Sequence, residues 1–358
     1  MRRASGFSLI ELLLALALGV VVTAGIVALF VGNNQTYTLL NGQSRMQENA
    51  RFAVDFISRS ARAAGYFGCD PEQGKIYKTL NGAWSQIFEF DITTPIQAFH
   101  GTAAGNTVND WIPALTTLPR LGSVVGYIAA NGVDITKLQQ LSDILVLRHV
   151  QIPGARIAAV VQADTNPTVE VPAGGLEFAA GNFVAINNCE QATVFRVANV
   201  NVAGATATLV RDTAPAIGLG LYQNAPLATL SPTGIAYGEA NSAQGASVGR
   251  VMTDIYYVAQ GTGTNNRNQT PWSLWRKTSE DAPVELIQGI ENLRVRFGVD
   301  KFPNDNIASA NRYVTFDQVG ADVIRALRLS VTANSVDVVS DTGSPLTRTF
   351  SQTITFRN

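Results

Sequence analysis

The sequence predicts an α+β chain: one long N-terminal α-helix, membrane-spanning in its first half, packed on a mainly antiparallel β-sheet head. Three observations carry this reading. An apolar run covers residues 7–31, a stretch with helical periodicity and neither Gly nor Pro follows over 43–64, and short alternating apolar–polar segments fill the C-terminal third.

The apolar run comes first. Between Phe7 and Val31 the only charged residue is Glu11. As a helix the run spans roughly 37 Å at 1.5 Å per residue, enough to cross a bilayer with some tilt. Arg2 and Arg3 precede it, and the positive-inside rule leaves them in the cytoplasm and puts the head on the far side of the membrane. Three readings compete. A cleaved secretory signal has a shorter apolar core and a small-residue exit, and neither fits here. An ordinary signal anchor does not explain Glu11, since an acidic side chain inside a spanning helix costs several kcal/mol and marks function. The third reading rests on the residues around that carboxylate.

Gly6-Phe7-Ser8-Leu9-Ile10-Glu11 resembles the cleavage region of type IV prepilins and pseudopilins. The resemblance implies that residues 1–6 are a basic leader and that a prepilin peptidase cuts between Gly6 and Phe7. It further implies that Phe7 becomes an N-methylated N-terminus and that Glu11 serves assembly. The physical logic is direct. A buried amine and a buried carboxylate are each costly alone, but paired between neighbouring subunits in an apolar helix bundle they offset much of that cost and set the register. Many major pilins carry a proline along this helix and this chain has none, so Gly19, Gly25 and Gly32 are its expected soft points, each about 1 kcal/mol worse than Ala.

The helix is expected to continue over 7–64, with possible breaks at Gly32 and Gly42. In its second half Phe52/Phe56 and Ala53/Ile57 fall at i, i+4 and are expected to share the buried face, with Arg51, Asp55, Arg59 and Arg62 outside it. Residues 65–358 then form the head. Its middle, about 70–250, is variable in texture, with irregular structure to about 142 and short strands at 143–150, 183–187, 192–197 and 205–211. A Gly/Ala/Pro/Asn-rich loop is expected over 218–249. Leu293, Val295, Phe297 and Val299 alternate with polar residues or Gly, as do Leu327, Leu329 and Val331, and Phe350, Ile354 and Phe356 share one parity. Each pattern fits a strand with one packed and one wet face.

A second resemblance is carried by both ends of the chain. Residues 57–69 and 273–276, then 286–300, 325–330 and the terminal Phe350…Ile354-Thr-Phe-Arg-Asn, look like PilW-type minor pilins of the type IV pilus. That likeness implies a rare subunit which joins other minor pilins and the major pilin in a tip complex that primes assembly. It implies passage from the bacterial inner membrane, through the prepilin peptidase and the assembly platform, to the cell surface, with adhesion, twitching motility or DNA uptake as downstream roles. A minor pseudopilin of type II secretion shares the same build. A membrane-anchored surface-binding module and an anchored periplasmic enzyme are the readings from other classes.

The remaining features are sparse. A net charge of −1 and no basic stripe disfavour nucleic acid as a partner. Cys69 and Cys189 either pair in an oxidising compartment or stand as two buried thiols. With two histidines, His149 in a strand and His100 in a loop, no zinc cluster or catalytic constellation is expected, and no cofactor or enzymatic activity is predicted. Asp300, Asn304, Asp305 and Asn306 form an acidic–amide cluster whose oxygens suit Ca²⁺ but lack EF-hand spacing, so a polar loop is the alternative. Trp272 and Trp275 are read as flanking a turn, available for stacking on a ligand or for packing on an edge strand.

Overall fold

A computed structural model of the chain describes residues 8–67, 75–80, 90–102, 107, 110–113, 137–151, 154–159, 161, 166–188, 191–211, 237–238, 245–279, 281–302, 307, 309–339 and 343–356. One α-helix, α1 (Leu9–Ala63), opens it and runs unbroken for 55 residues, through Gly19, Gly25, Gly32 and Gly42 alike. Its end is set by Gly65. At φ +82° this residue leaves the helix in a left-handed turn that a side chain would disfavour, and its N–H donates to the Arg148 carbonyl.

Among the described residues sixteen strands follow. They are β1 (Ile76–Lys78), β2 (Ile96–Gly101), β3 (Trp111–Ile112), β4 (Ile144–Val150), β5 (Ala155–Arg156), β6 (Thr168–Glu170), β7 (Phe183–Asn187) and β8 (Ala192–Ala203). The chain continues through β9 (Thr206–Arg211), β10 (Ser247–Gln260), β11 (Trp272–Thr278), β12 (Val284–Gln288), β13 (Ile290–Asp300), β14 (Arg312–Val314), β15 (Val323–Asn334) and β16 (Thr347–Thr355). All pairings are antiparallel except β1 with β8. The fold is therefore α+β with a mainly antiparallel body.

Two sheets form the head. In the larger, the order β3-β2-β4-β10-β7-β8-β9-β6 is joined by β11 and β12 on the far side of β10 and by β1 and β5. Strand β10 is the spine: its start pairs with β7 and β5, its middle with β4, and its end with β11. The smaller sheet has the order β14-β13-β15-β16. The expected alternation is present in it, since Leu293, Val295, Phe297, Val299, Leu327, Leu329, Val331 and Ile354 are all buried.

The second half of α1 covers the smaller sheet. Its buried residues Met46, Ala50, Ala53, Val54, Ile57 and Ala61 join a core with the inward faces of β13, β15, β4 and β10. The helix runs antiparallel to β15: Gly42 lies against Ser335 and Val339, just beyond the end of β15, whereas Ser58 meets Gln352, the register partner of Leu329 in mid-strand. Gly42 is required there, because a Cβ would stand 3.1 Å from Val339 and 3.2 Å from Ser335. Phe52 and Phe56 do not share this face as expected; they are 49% and 39% exposed. The small residues took the seam because a helix lies closer to a sheet over Ala and Gly than over Phe.

Trp272 and Trp275 also differ from expectation. They lie within β11, half-buried, in a strand paired on both sides by β10 and β12. The middle of the head has its own core, in which Phe195, Val197, Leu209 and Val248 surround Tyr237.

Candidate functional site: the N-terminal anchor and its seam with the head

From Leu9 to Leu40 the large apolar side chains of α1 are exposed: Leu9 is 76% exposed, Leu14 64% and Phe30 71%. An 18-residue window of this helix has mean hydropathy 2.8. A surface so apolar all round cannot remain in water, and a bilayer or a bundle of like helices satisfies it. The polar groups in the run are quenched locally. Thr23 donates to the Gly19 carbonyl (2.7 Å) and Thr36 to that of Gly32 (2.9 Å), leaving their hydroxyls little to offer a neighbour.

Glu11 sits in the first turn, where Ser8 N–H donates to its Oε2 at 3.1 Å. The carboxylate thus covers an otherwise unpaired N–H at the positive end of the helix dipole and has a second oxygen available. Gly6 and Phe7 lie outside the described residues, as do Cys69 and Cys189.

The far end of α1 is fixed by polar locks as well as apolar packing. Ser60 Oγ lies 2.8 Å from Asp254 Oδ2 and 2.7 Å from the Tyr256 hydroxyl, and Thr278 donates to the other Asp254 oxygen at 2.7 Å. Burial, reinforced by the Asp254 charge, pushes the Tyr256 phenol up to about 12, so it remains protonated. Asn49 Nδ2 donates to the Gln288 carbonyl, and Arg45 pairs with Asp337 at 3.4 Å.

A third cluster joins the two sheets. Asp143, 1% exposed, precedes β4 and accepts from Val295 N (2.7 Å), Gly101 N (3.2 Å) and Arg294 Nη1 (3.0 Å); it also bonds His100 Nδ1 at 2.8 Å. His100 is therefore a strand residue of β2 and not a loop residue. It is held with Asp143 and Arg294 in a cross-sheet clamp. The other histidine, His149 on β4, is half-buried, and its Nδ1 is buried with no hydrogen-bond partner among the described residues; desolvation holds its pKa below the usual imidazole value, opposed by Asp254.

Asp300 is fully buried, takes Arg325 Nε at 3.3 Å and accepts from Phe302 N at 3.1 Å. Its carboxylate is thus neutralised internally, while Asn304, Asp305 and Asn306 lie outside the described residues. Among the described residues no His, Cys, Asp or Glu group is arranged to hold a metal.

Two family matches coincide with this anatomy. Residues 1–27 match the prokaryotic N-terminal methylation motif, and residues 255–358, which run from within β10 through the four strands of the smaller sheet, match Type IV Pilus-assembly protein W. The chain matches a PilW-like type IV pilin. No curated protein and no solved structure matches it. The PilW match begins within β10 at Ile255 and so covers the sheet that carries α1, whereas the β6–β9 layers lie outside it.

Proposed function

We propose that this chain is a minor pilin of a type IV pilus, cut after Gly6, methylated at Phe7, and assembled through α1 into a complex that primes the filament. The single observation that carries the reading is an apolar surface that runs the length of the first half of α1, starts at a lone Glu11, and coincides with the methylation motif. Arg2 and Arg3 favour a cytoplasmic N-terminus and a periplasmic head before assembly. Glu11 then pairs with the freed amine of a neighbouring subunit, and the work of the protein is positional, with no chemistry of its own.

The association with other pilus components follows from the pilin match; the tip complex, the peptidase, the assembly platform, and any role in adhesion, motility or DNA uptake are proposed. The test is intact mass and N-terminal sequencing from cells with and without prepilin peptidase, together with Glu11→Ala. A methylated Phe7 terminus that is lost without the peptidase is expected, as is an Ala variant that is cut but fails to support piliation. An uncut chain, or normal piliation by the Ala variant, would overturn the reading. A secretion defect with intact pili would favour a type II pseudopilin.

A further inference from the structure

The geometry points to a strand-addition site at the outer edge of β16, filled by an extended segment of a different chain. The hydrogen-bond pattern fixes which groups are free. Phe356 N donates to the Arg325 carbonyl and Ser335 N to that of Leu346, and these two bonds bracket the β15–β16 register. In an antiparallel ladder the direction of bonding alternates residue by residue. The even residues Arg348, Phe350, Gln352 and Ile354 therefore bond β15. The odd residues Thr347, Thr349, Ser351, Thr353 and Thr355 each turn an N–H and a C=O outward, where no described strand pairs with them.

An open edge of this length is unusual within the molecule itself. The other terminal strands are short: β3 has two residues, β6 and β14 three each, and β12 five beside a bulge. β16 has nine residues, no Pro, no bulge against β15 and one charge, Arg348. Natural sheets blunt such edges with charges, prolines, bulges or brevity, and here every described end but this one is short.

The edge also specifies what fills it. On the helix side Phe350 and Phe356 stand only half-buried at the border of the core, so alternate residues of the incoming strand are apolar there. On the other side Ser351 and Thr349 already form hydroxyl pairs with Ser330 and Thr332, so the remaining residues are Thr-like or Ser-like. A second copy does not fit. Symmetric β16–β16 pairing needs a two-fold axis normal to the sheet, which would reverse α1 and point the two anchors in opposite directions. Pairing through β14 would supply only three residues. The exclusion of a second copy rests on the anchored-pilin reading above; the free edge does not.

The test uses the full chain in its native membrane, with a photo-reactive residue placed in turn at Thr349, Thr353 and, two strands inward, Arg296. Linked peptides are read by mass spectrometry and the N-terminus is read in the same samples. The expected result is that links from 349 and 353 fall on one segment of another protein and move along it by about four residues, the signature of strand register. Ser351→Pro and Ser351→Ala both remove the hydroxyl pair with Ser330, but only proline also removes the outward N–H, so Ser351→Pro should reduce both links to the level seen at 296 while Ser351→Ala should keep them. If Ser351→Pro lowers protease resistance, Thr349→Pro with the probe at 353 replaces it. Scattered links, links without register, links to a second copy, or links that survive proline would overturn the proposal. An unprocessed N-terminus with registered links would sink the pilin reading alone.

Discussion

Ser60 Oγ and the Tyr256 hydroxyl are 2.7 Å apart, and this contact ties the last turns of α1 to the middle of β10. Tyr256 also reaches the Phe56 carbonyl at 3.4 Å, while Ser60 reaches Asp254. Ser60→Ala and Tyr256→Phe should each cost about 1–2 kcal/mol, the range for a half-buried hydrogen bond whose partner is left behind. Because they share partners, the double variant should lose less than the sum, by roughly 0.5 kcal/mol or more. Chemical denaturation of the detergent-solubilised protein measures this, and strict additivity would show that the two hydroxyls act independently.

Gly42 is predicted to tolerate no large side chain. A Leu there must displace Val339 and Ser335, and such overpacking costs about 1–3 kcal/mol. Gly25→Leu meets nothing within 4 Å and should leave the thermal stability of the head unchanged. Equal Tm values for the two variants would remove the close approach at Gly42.

The clamp at Asp143 yields a larger effect. Asp143→Ala strips the acceptor from the buried N–H groups of Val295 and Gly101 and leaves Arg294 without its carboxylate partner. Breaking a buried ion pair from one side costs about 3–5 kcal/mol. Arg294 is one-third exposed, so the loss is expected at the lower end of that range. Limited proteolysis should show β2 and β4 opening away from β13; an unchanged digestion pattern would count against the clamp.

His149 predicts a dependence on pH. Burial lowers its folded-state pKa beneath the ordinary imidazole value of about 6.5. The unfolded chain therefore binds the proton first as pH falls, and stability decreases from pH 6.5 down through the lowered folded value. His149→Gln should flatten that part of the curve. A variant whose Tm falls as steeply as the parent's between pH 7 and 5 would place the titration elsewhere.

How much of this was legible in the sequence depends on what each feature requires. The anchor was readable because a single run of residues carries it, with Glu11 standing alone among apolar neighbours. The β13, β15 and β16 strands were readable because one face of each is buried, so period-2 alternation survives in the residues. The face of α1 was not. Phe52/Phe56 and Ala53/Ile57 are adjacent stripes about 100° apart, and helical spacing alone cannot say which one meets a sheet. Only Gly42, Ala50, Ala53 and Ala61 falling together on one side decide it, by allowing close approach. His100 was placed in a loop because Ile96–Gly101 is buried on both faces and mixes Gln, His and Gly, which leaves no alternation to read. Its partners Asp143 and Arg294 lie 43 and 194 residues away, and only the folded sheets bring them to it.

The antiparallel course of α1 along β15 has a mechanical meaning. A pull on the anchor acts along the helix axis and thus along the strands beneath it, so the β15–β16 ladder is loaded in shear, with its nine residue pairs sharing the force at once. Strands set across the helix would instead be peeled one bond at a time. The head is therefore built to be tugged by its own stem.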